Sequence, residues 1–164
     1  MAYYMMTQND IQTYNAIQSD AIVAYRAIAK DVREKMNFES GKFSCYNDRT
    51  ADPEGYRAYC QLERAVYQAI DEATRDVVAS YDARMDKLFT SLIQIPAKTK
   101  KEVCTLGAIR AREMGISNVW IRNISKPRDD FLHHCVQSWY IYTEDGVWYQ
   151  KMNENNKARH EIIF

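Results

Sequence analysis

AREMGISNVWIRNISKPR, residues 111–128, is the stretch whose reading decides the fold. Ala111 to Met114 continues a helical pattern, and Gly115 suits the left-handed position that stops a helix. Val119-Trp120-Ile121 then begins either a second helix or a strand. β-branched and aromatic residues favour the strand, which sets Val119 and Ile121 on one face.

Toward the N-terminus the pattern is helical. Thr99 to Met114 reads as a helix, with Thr99 and Glu102 spaced as a capping box. Before it, residues 53–95 read as one long helix with Asp52 as N-cap and Pro53 in the first turn. Its apolar stripe is Tyr59, Leu62, Val66, Ile70, Ala73, Val77, Tyr81, Leu88, Leu92 and Ile95. That spacing lies nearer an 11-residue than a 7-residue repeat and predicts a straight helix on a neighbour, not a zipper. Pro96 ends it.

Residues 7–37 form a second amphipathic pattern, with Ile11, Tyr14, Ile22, Tyr25, Ile28, Val32 and Met36 at helical spacing. Thr7 or Asn9 can cap it. The intervening NFESGKFSCYNDRTADPEG reads as a connector, long enough to pack on the body or touch a partner. An antiparallel helical hairpin over 1–96 is therefore expected. A homodimer through the long helices would bury what the hairpin leaves open, and a monomeric bundle is the other solution.

Toward the C-terminus, CVQSWYIYTEDGVWYQKM is a β-hairpin signal, with Asp145-Gly146 as its turn. A two-residue turn places Tyr140, Tyr142, Val147 and Tyr149 on one face and Trp139, Ile141, Trp148 and Met152 on the other. The second set is the expected core. The closing HEIIF can add an edge strand. The fold class is thus α+β, mainly α: a helical hairpin over 1–96 followed by a small α+β head over 97–164.

Residues 107–126 also resemble the repressor-type helix-turn-helix, over about 20 of the 164 residues. Ala111 stands where a small residue lets two helices approach, Gly115 at the turn, and Ile116, Ile121 and Ile124 at packing positions. The resemblance implies a dimeric DNA-binding regulator with Ser117, Asn118, Arg122 and Lys126 at the DNA face. The stretch departs from the motif at Arg110, where an apolar residue is usual.

Composition excludes several classes. With five glycines in the chain there is little material for a phosphate-cradling loop, and no P-loop, GxGxxG fingerprint or nucleophile elbow occurs. Cys45, Cys60, Cys104 and Cys135 are too scattered for a zinc framework and read as free thiols of a reducing, cytoplasmic setting. His133, His134, Cys135 and His160 lack the spacing of a ligand set, and the acidic pairs Asp129-Asp130 and Glu144-Asp145 sit in turn-like contexts. No stretch approaches the roughly 18 apolar residues of a membrane span. Neither enzyme activity, nor a metal, nor a cofactor is expected.

Charge and tyrosine point to binding. The net charge is zero, yet residues 98–128 carry 8 basic and 2 acidic side chains. Twelve tyrosines supply contact area at low entropic cost. The expected partner-binding residues are Lys100, Lys101, Arg110, Arg112, Arg122, Lys126, Arg128, Tyr140, Tyr142 and Tyr149. They suit a protein or nucleoprotein partner with an acidic surface, and nucleic acid is a further candidate. Small size, many tyrosines and few glycines look like those of phage-type accessory or inhibitor proteins, which act by occupying a partner's surface.

Overall fold

The computed structural model describes residues 2–124, 137–151 and 160–163. The order of elements is β1 (Ala2–Met6), α1 (Gln8–Lys35), α2 (Tyr46–Ala51), α3 (Pro53–Ser91), β2 (Ile93–Ile95), α4 (Lys100–Glu113), β3 (Val119–Ile124), β4 (Gln137–Glu144), β5 (Val147–Lys151) and β6 (His160–Ile162). The fold is α+β, with long N-terminal helices and an antiparallel sheet. Two compact units divide it: Met1–Gln18 with Arg84–Phe164, and Ser19–Ala83.

Ser19–Ala83 is an antiparallel helical hairpin. Ala29 and Val32 of α1, with Met36 just beyond its end, pack with Val66, Ile70 and Tyr59 of α3, so the end of one helix meets the beginning of the other. α1 stops in a Schellman motif. Asn37 takes φ +50°, the Phe38 amide donates to the Arg33 carbonyl at 2.9 Å and the Asn37 amide to that of Glu34 at 3.1 Å. The connector packs on the hairpin through rings: Phe38 stacks on Tyr59 at 5.4 Å, and Phe43 tilts against Tyr59 at 5.4 Å and 58°. Asp52 caps α3 as expected, its Oδ1 accepting from the Gly55 amide at 2.9 Å.

The other unit is built on a six-stranded sheet of order β2-β1-β3-β4-β5-β6, with every pairing antiparallel. Two of its strands differ from the expectation. Ala2–Met6, too short to show a strand pattern, is an interior strand. Ile93–Ile95 was expected as the last turn of the long helix and is instead an edge strand on β1. Its alternating isoleucines before Pro96 suit a strand, and the Ile95 side chain is buried in the sheet core.

Val119–Ile124 is likewise a strand. A helix-turn-helix over 107–126 would need its second helix there, so that motif is absent. The physical reason is local: Gly115 at φ +68° ends α4 in a Schellman motif, with Ile116 N to Ala111 O and Gly115 N to Arg112 O both 3.0 Å. The chain leaves in an extended path, and Val119 and Ile121 bury completely on one face.

α4 covers that face. Val103, Cys104, Ala108 and Ala111 pack on Tyr3, Met5, Ile95, Val119, Ile121, Trp139, Ile141, Trp148 and Ile162. The helix starts at the expected capping box: Thr99 Oγ1 accepts from the Glu102 amide, and the Glu102 carboxylate accepts from the Thr99 amide. Gly107 lets it lie close, since a Cβ there would meet Ile121 Cδ1 at 2.6 Å.

The β4–β5 hairpin takes the two-residue turn. Asp145 and Gly146 both have positive φ, 49° and 77°, the geometry of a type I′ turn. The register pairs Glu144 with Val147, Tyr142 with Tyr149 and Tyr140 with Lys151, the facing deduced from sequence. Met152 lies outside the described residues.

Candidate functional site

The opposite face of the sheet carries Tyr4, Met6, Trp120, Arg122, Tyr140, Tyr142, Tyr149 and Lys151, as the pairings dictate. At the β1 side, the start of α1 and the end of α3 cover it. Tyr4 stacks on Phe89 at 5.4 Å and Tyr14 tilts on Phe89 at 6.4 Å. Met6 is completely buried. On β3, β4 and β5 the side chains Trp120, Tyr140, Tyr142 and Tyr149 are only half-buried.

Their rings form a continuous row. Trp120 and Tyr140 lie 4.8 Å apart at 40°, Tyr140 and Tyr142 5.8 Å apart at 14°, and Tyr142 and Tyr149 5.4 Å apart at 21°. The small interplanar angles among the three tyrosines at these separations mean offset rings, and Trp120 tilts on the first of them, so each ring leaves part of a face or edge for another group. Lys151 Nζ stands 6.0 Å from the Tyr142 centroid.

Arg122 sits where the covered and open parts of this face meet. Its guanidinium lies over the Tyr14 ring at 4.8 Å. Burial lowers the Arg122 pKa, while the Tyr14 phenol pulls it back up. Burial likewise raises the Tyr14 pKa, and the Arg122 charge opposes the rise. Arg122 makes no ion pair among the described residues, and its buried Nε finds no acceptor. Trp120, two residues along on the same face, has a buried Nε1 in the same condition. Two N–H donors and a cation thus stand at the head of the aromatic row without an anionic partner among the described residues.

The far end of the row has the opposite sign. Burial raises the Tyr149 pKa, reinforced by the Glu161, Glu144 and Asp145 carboxylates. Glu161 lies directly across from Tyr149 in the register.

The basic segment read as one surface is divided by the sheet. Lys101, Arg110 and Arg112 are exposed on α4, on the side away from the tyrosines, and Arg110 pairs with Glu113 at 3.0 Å. Lys100 lies in the first turn of α4. Among the described residues of that segment, only Arg122 joins Tyr140, Tyr142 and Tyr149. Ser117 and Asn118 are exposed in the short link before β3, with Asn118 at φ +59°. Lys126, Arg128, the Asp129-Asp130 pair, His133, His134 and Cys135 lie outside the described residues. Among the described residues no group of three His, Cys, Asp or Glu side chains could hold a metal. Cys104 is buried on the sheet-facing side of α4, and burial pushes its thiol up to about 12, which disfavours the nucleophilic thiolate.

Trp120, Lys151 and the Tyr14–Phe89 wall were missed as site residues from sequence. For Trp120 the signal was present: a strand with Val119 and Ile121 inward must turn Trp120 and Arg122 to the other face. Comparison with protein-family models, curated protein sequences and solved structures returns no match.

Proposed function

We propose that this chain is a non-enzymatic binding protein of the small accessory or inhibitor kind, and that its partner docks on the open β3–β4–β5 part of the aromatic face. The observation that carries this reading is the row Trp120–Tyr140–Tyr142–Tyr149, half-buried and continuous beside Arg122. Tyr, Trp and Arg are the residue types that dominate binding energy at interfaces. The pairing of Tyr142 with Tyr149 across the hairpin fixes them in advance and lowers the entropic cost of association.

A cytoplasmic setting fits the free thiols Cys45, Cys60 and Cys104, and no described helix is long and apolar enough to cross a membrane. Pairing of two copies through the hairpin remains part of the proposal, supported by the exposed Val23, Leu62 and Tyr67. Sedimentation velocity at two concentrations tests that element, and a concentration-independent monomer removes it.

The test of the docking face sets two variants against each other. Partner capture from native lysate is compared for wild type, Tyr142→Ala/Tyr149→Ala and Arg110→Glu/Arg112→Glu. The tyrosine variant is expected to lose the captured species by ten-fold or more while the α4 variant keeps it. The reverse pattern would move the site to the basic face of α4.

A further inference from the structure

We infer, resting on the docking face proposed above, that its ligand is a short stretch of single-stranded nucleic acid, with bases stacked on Trp120, Tyr140 and Tyr142 and phosphates held at Arg122 and Lys151. Three observations converge on this chemistry. The row, near-parallel from Tyr140 to Tyr149 and tilted by 40° at Trp120, offers ring surface to flat groups one after another, and such stacking tolerates any base. The buried Nε of Arg122 and Nε1 of Trp120 lack acceptors among the described residues, and a phosphate offers several oxygens to such donors. Lys151, 6.0 Å from the Tyr142 ring centroid, places a second cation beside the row and makes no ion pair among the described residues.

The same face limits what can bind. Glu144, Asp145 and Glu161 surround Tyr149 with negative charge, so the strand runs from Trp120 to Tyr142 and stops short of Tyr149. A duplex keeps its base faces stacked internally and cannot use the row. An acidic peptide could meet Arg122 and Lys151 but would bring flat rings only where its sequence supplied them. The chain's neutral total charge fits binding led by stacking, with weak salt dependence.

The experiment is a fluorescence-anisotropy titration of the full chain into a labelled single-stranded DNA octamer of mixed sequence and into the same sequence as a duplex, between about 20 and 200 mM salt. Single strand is expected to bind at least ten-fold more tightly than duplex. Two phosphate contacts predict a slope of roughly −1.4 in log K against log salt, at about −0.7 per phosphate on a single strand. Tyr142→Leu is expected to weaken binding about ten-fold through lost stacking. Lys151→Gln is expected to flatten the slope by about 0.7, a change that mere loss of packing would not produce. Arg122→Gln should weaken binding more than Arg122→Lys; if either unfolds by circular dichroism, Tyr142→Leu and Lys151→Gln still decide. Equal affinity for duplex, unchanged binding by Tyr142→Leu, or no binding at all overturns the inference. A protein partner lost on Tyr142→Ala/Tyr149→Ala, with no oligonucleotide bound, rejects the nucleic-acid ligand and leaves the docking face standing; loss of neither rejects both.

Discussion

The two faces of the sheet are made by alternate residues of the same strands, and they have opposite fates. Under α4 the inward set is aliphatic and aromatic, closed and well packed: Val119, Ile121 and Ile141 expose nothing. On the other side, Trp120, Arg122, Tyr140, Tyr142 and Tyr149 are amphipathic, each with a polar tip, and none is fully buried. Stability should therefore reside on the first face and binding on the second. The contrast is testable because a substitution at one residue and at its sequence neighbour addresses opposite faces.

The largest effect belongs to the closed face. Ile121→Ala or Ile141→Ala removes a fully buried side chain and should cost about 2–5 kcal/mol, read as a lower urea midpoint. Tyr142→Ala, next in sequence to Ile141, should cost no more than about 1 kcal/mol while weakening the ligand. If Tyr142→Ala destabilised as much as Ile141→Ala, the aromatic row would be core and the comparison would fail.

Alkaline pH probes the same burial. Below pH 9 the Cys104 thiol is protonated in both the folded and the unfolded chain and contributes no pH dependence. Above pH 9 the unfolded thiol releases its proton, whereas the folded one holds it to about 12. Stability should therefore fall as pH rises across that window, with a slope of at most about 1.4 kcal/mol per pH unit. Tyr14, also raised by burial, adds loss of the same sign above 10. Denaturation at pH 7 and pH 10.5 measures it, and Cys104→Ala should remove the thiol's share. An equal slope in that variant would assign the dependence elsewhere.

The fit of α4 on the sheet gives a coupled effect. In Gly107→Ala the new Cβ meets Ile121 Cδ1, and overpacking costs about 1–3 kcal/mol. Ile121→Val has no Cδ1 and alone costs about 0.5–1.5 kcal/mol. The double variant should be less destabilised than the two losses combined, a coupling read from a thermodynamic cycle. Strict additivity would show that the helix shifts and that the close approach is not what Gly107 provides.

Legibility from sequence followed how locally each feature is specified. The hairpin register was readable because Asp145-Gly146 accepts the positive φ of its turn, and the α4 start because Thr99 and Glu102 satisfy each other. The strand β1 was not, since Tyr3 and Tyr4 favour a strand but stand among Ala and Met without an alternating pattern, and its partners, β2 and β3, are distant in sequence. β2 was hidden because Leu88, Leu92 and Ile95 continue the helical spacing past Ser91. The helix-turn-helix resemblance failed where it claimed least local support, at Val119-Trp120-Ile121. For the site, the hairpin tyrosines were readable, but linear charge density misled. A helix carries Lys101, Arg110 and Arg112, and a strand carries Arg122, to opposite sides of the sheet, and no count along the chain can separate them.

The smallest effects come from the two ends of α4 and sharpen the comparison most cleanly, because they disturb the cover of one face without touching the other. Thr99→Ala removes the capping acceptor for the Glu102 amide and should cost about 1 kcal/mol. Gly115→Ala forces a side chain into φ +68° and should cost about the same. No atom lies within 4 Å of a Cβ built there, so any loss is conformational and not steric. Gly115→Asn should lose less, because Asn tolerates the left-handed region. That ordering of Ala below Asn would separate backbone strain from lost space. In all three variants oligonucleotide affinity at 25 °C should equal wild type, since the folded population stays dominant and Trp120, Tyr140 and Tyr142 face away from α4. A fall in affinity that tracks helix stability would mean that α4 and the aromatic row act as one element, and the division of labour between the two faces would not hold.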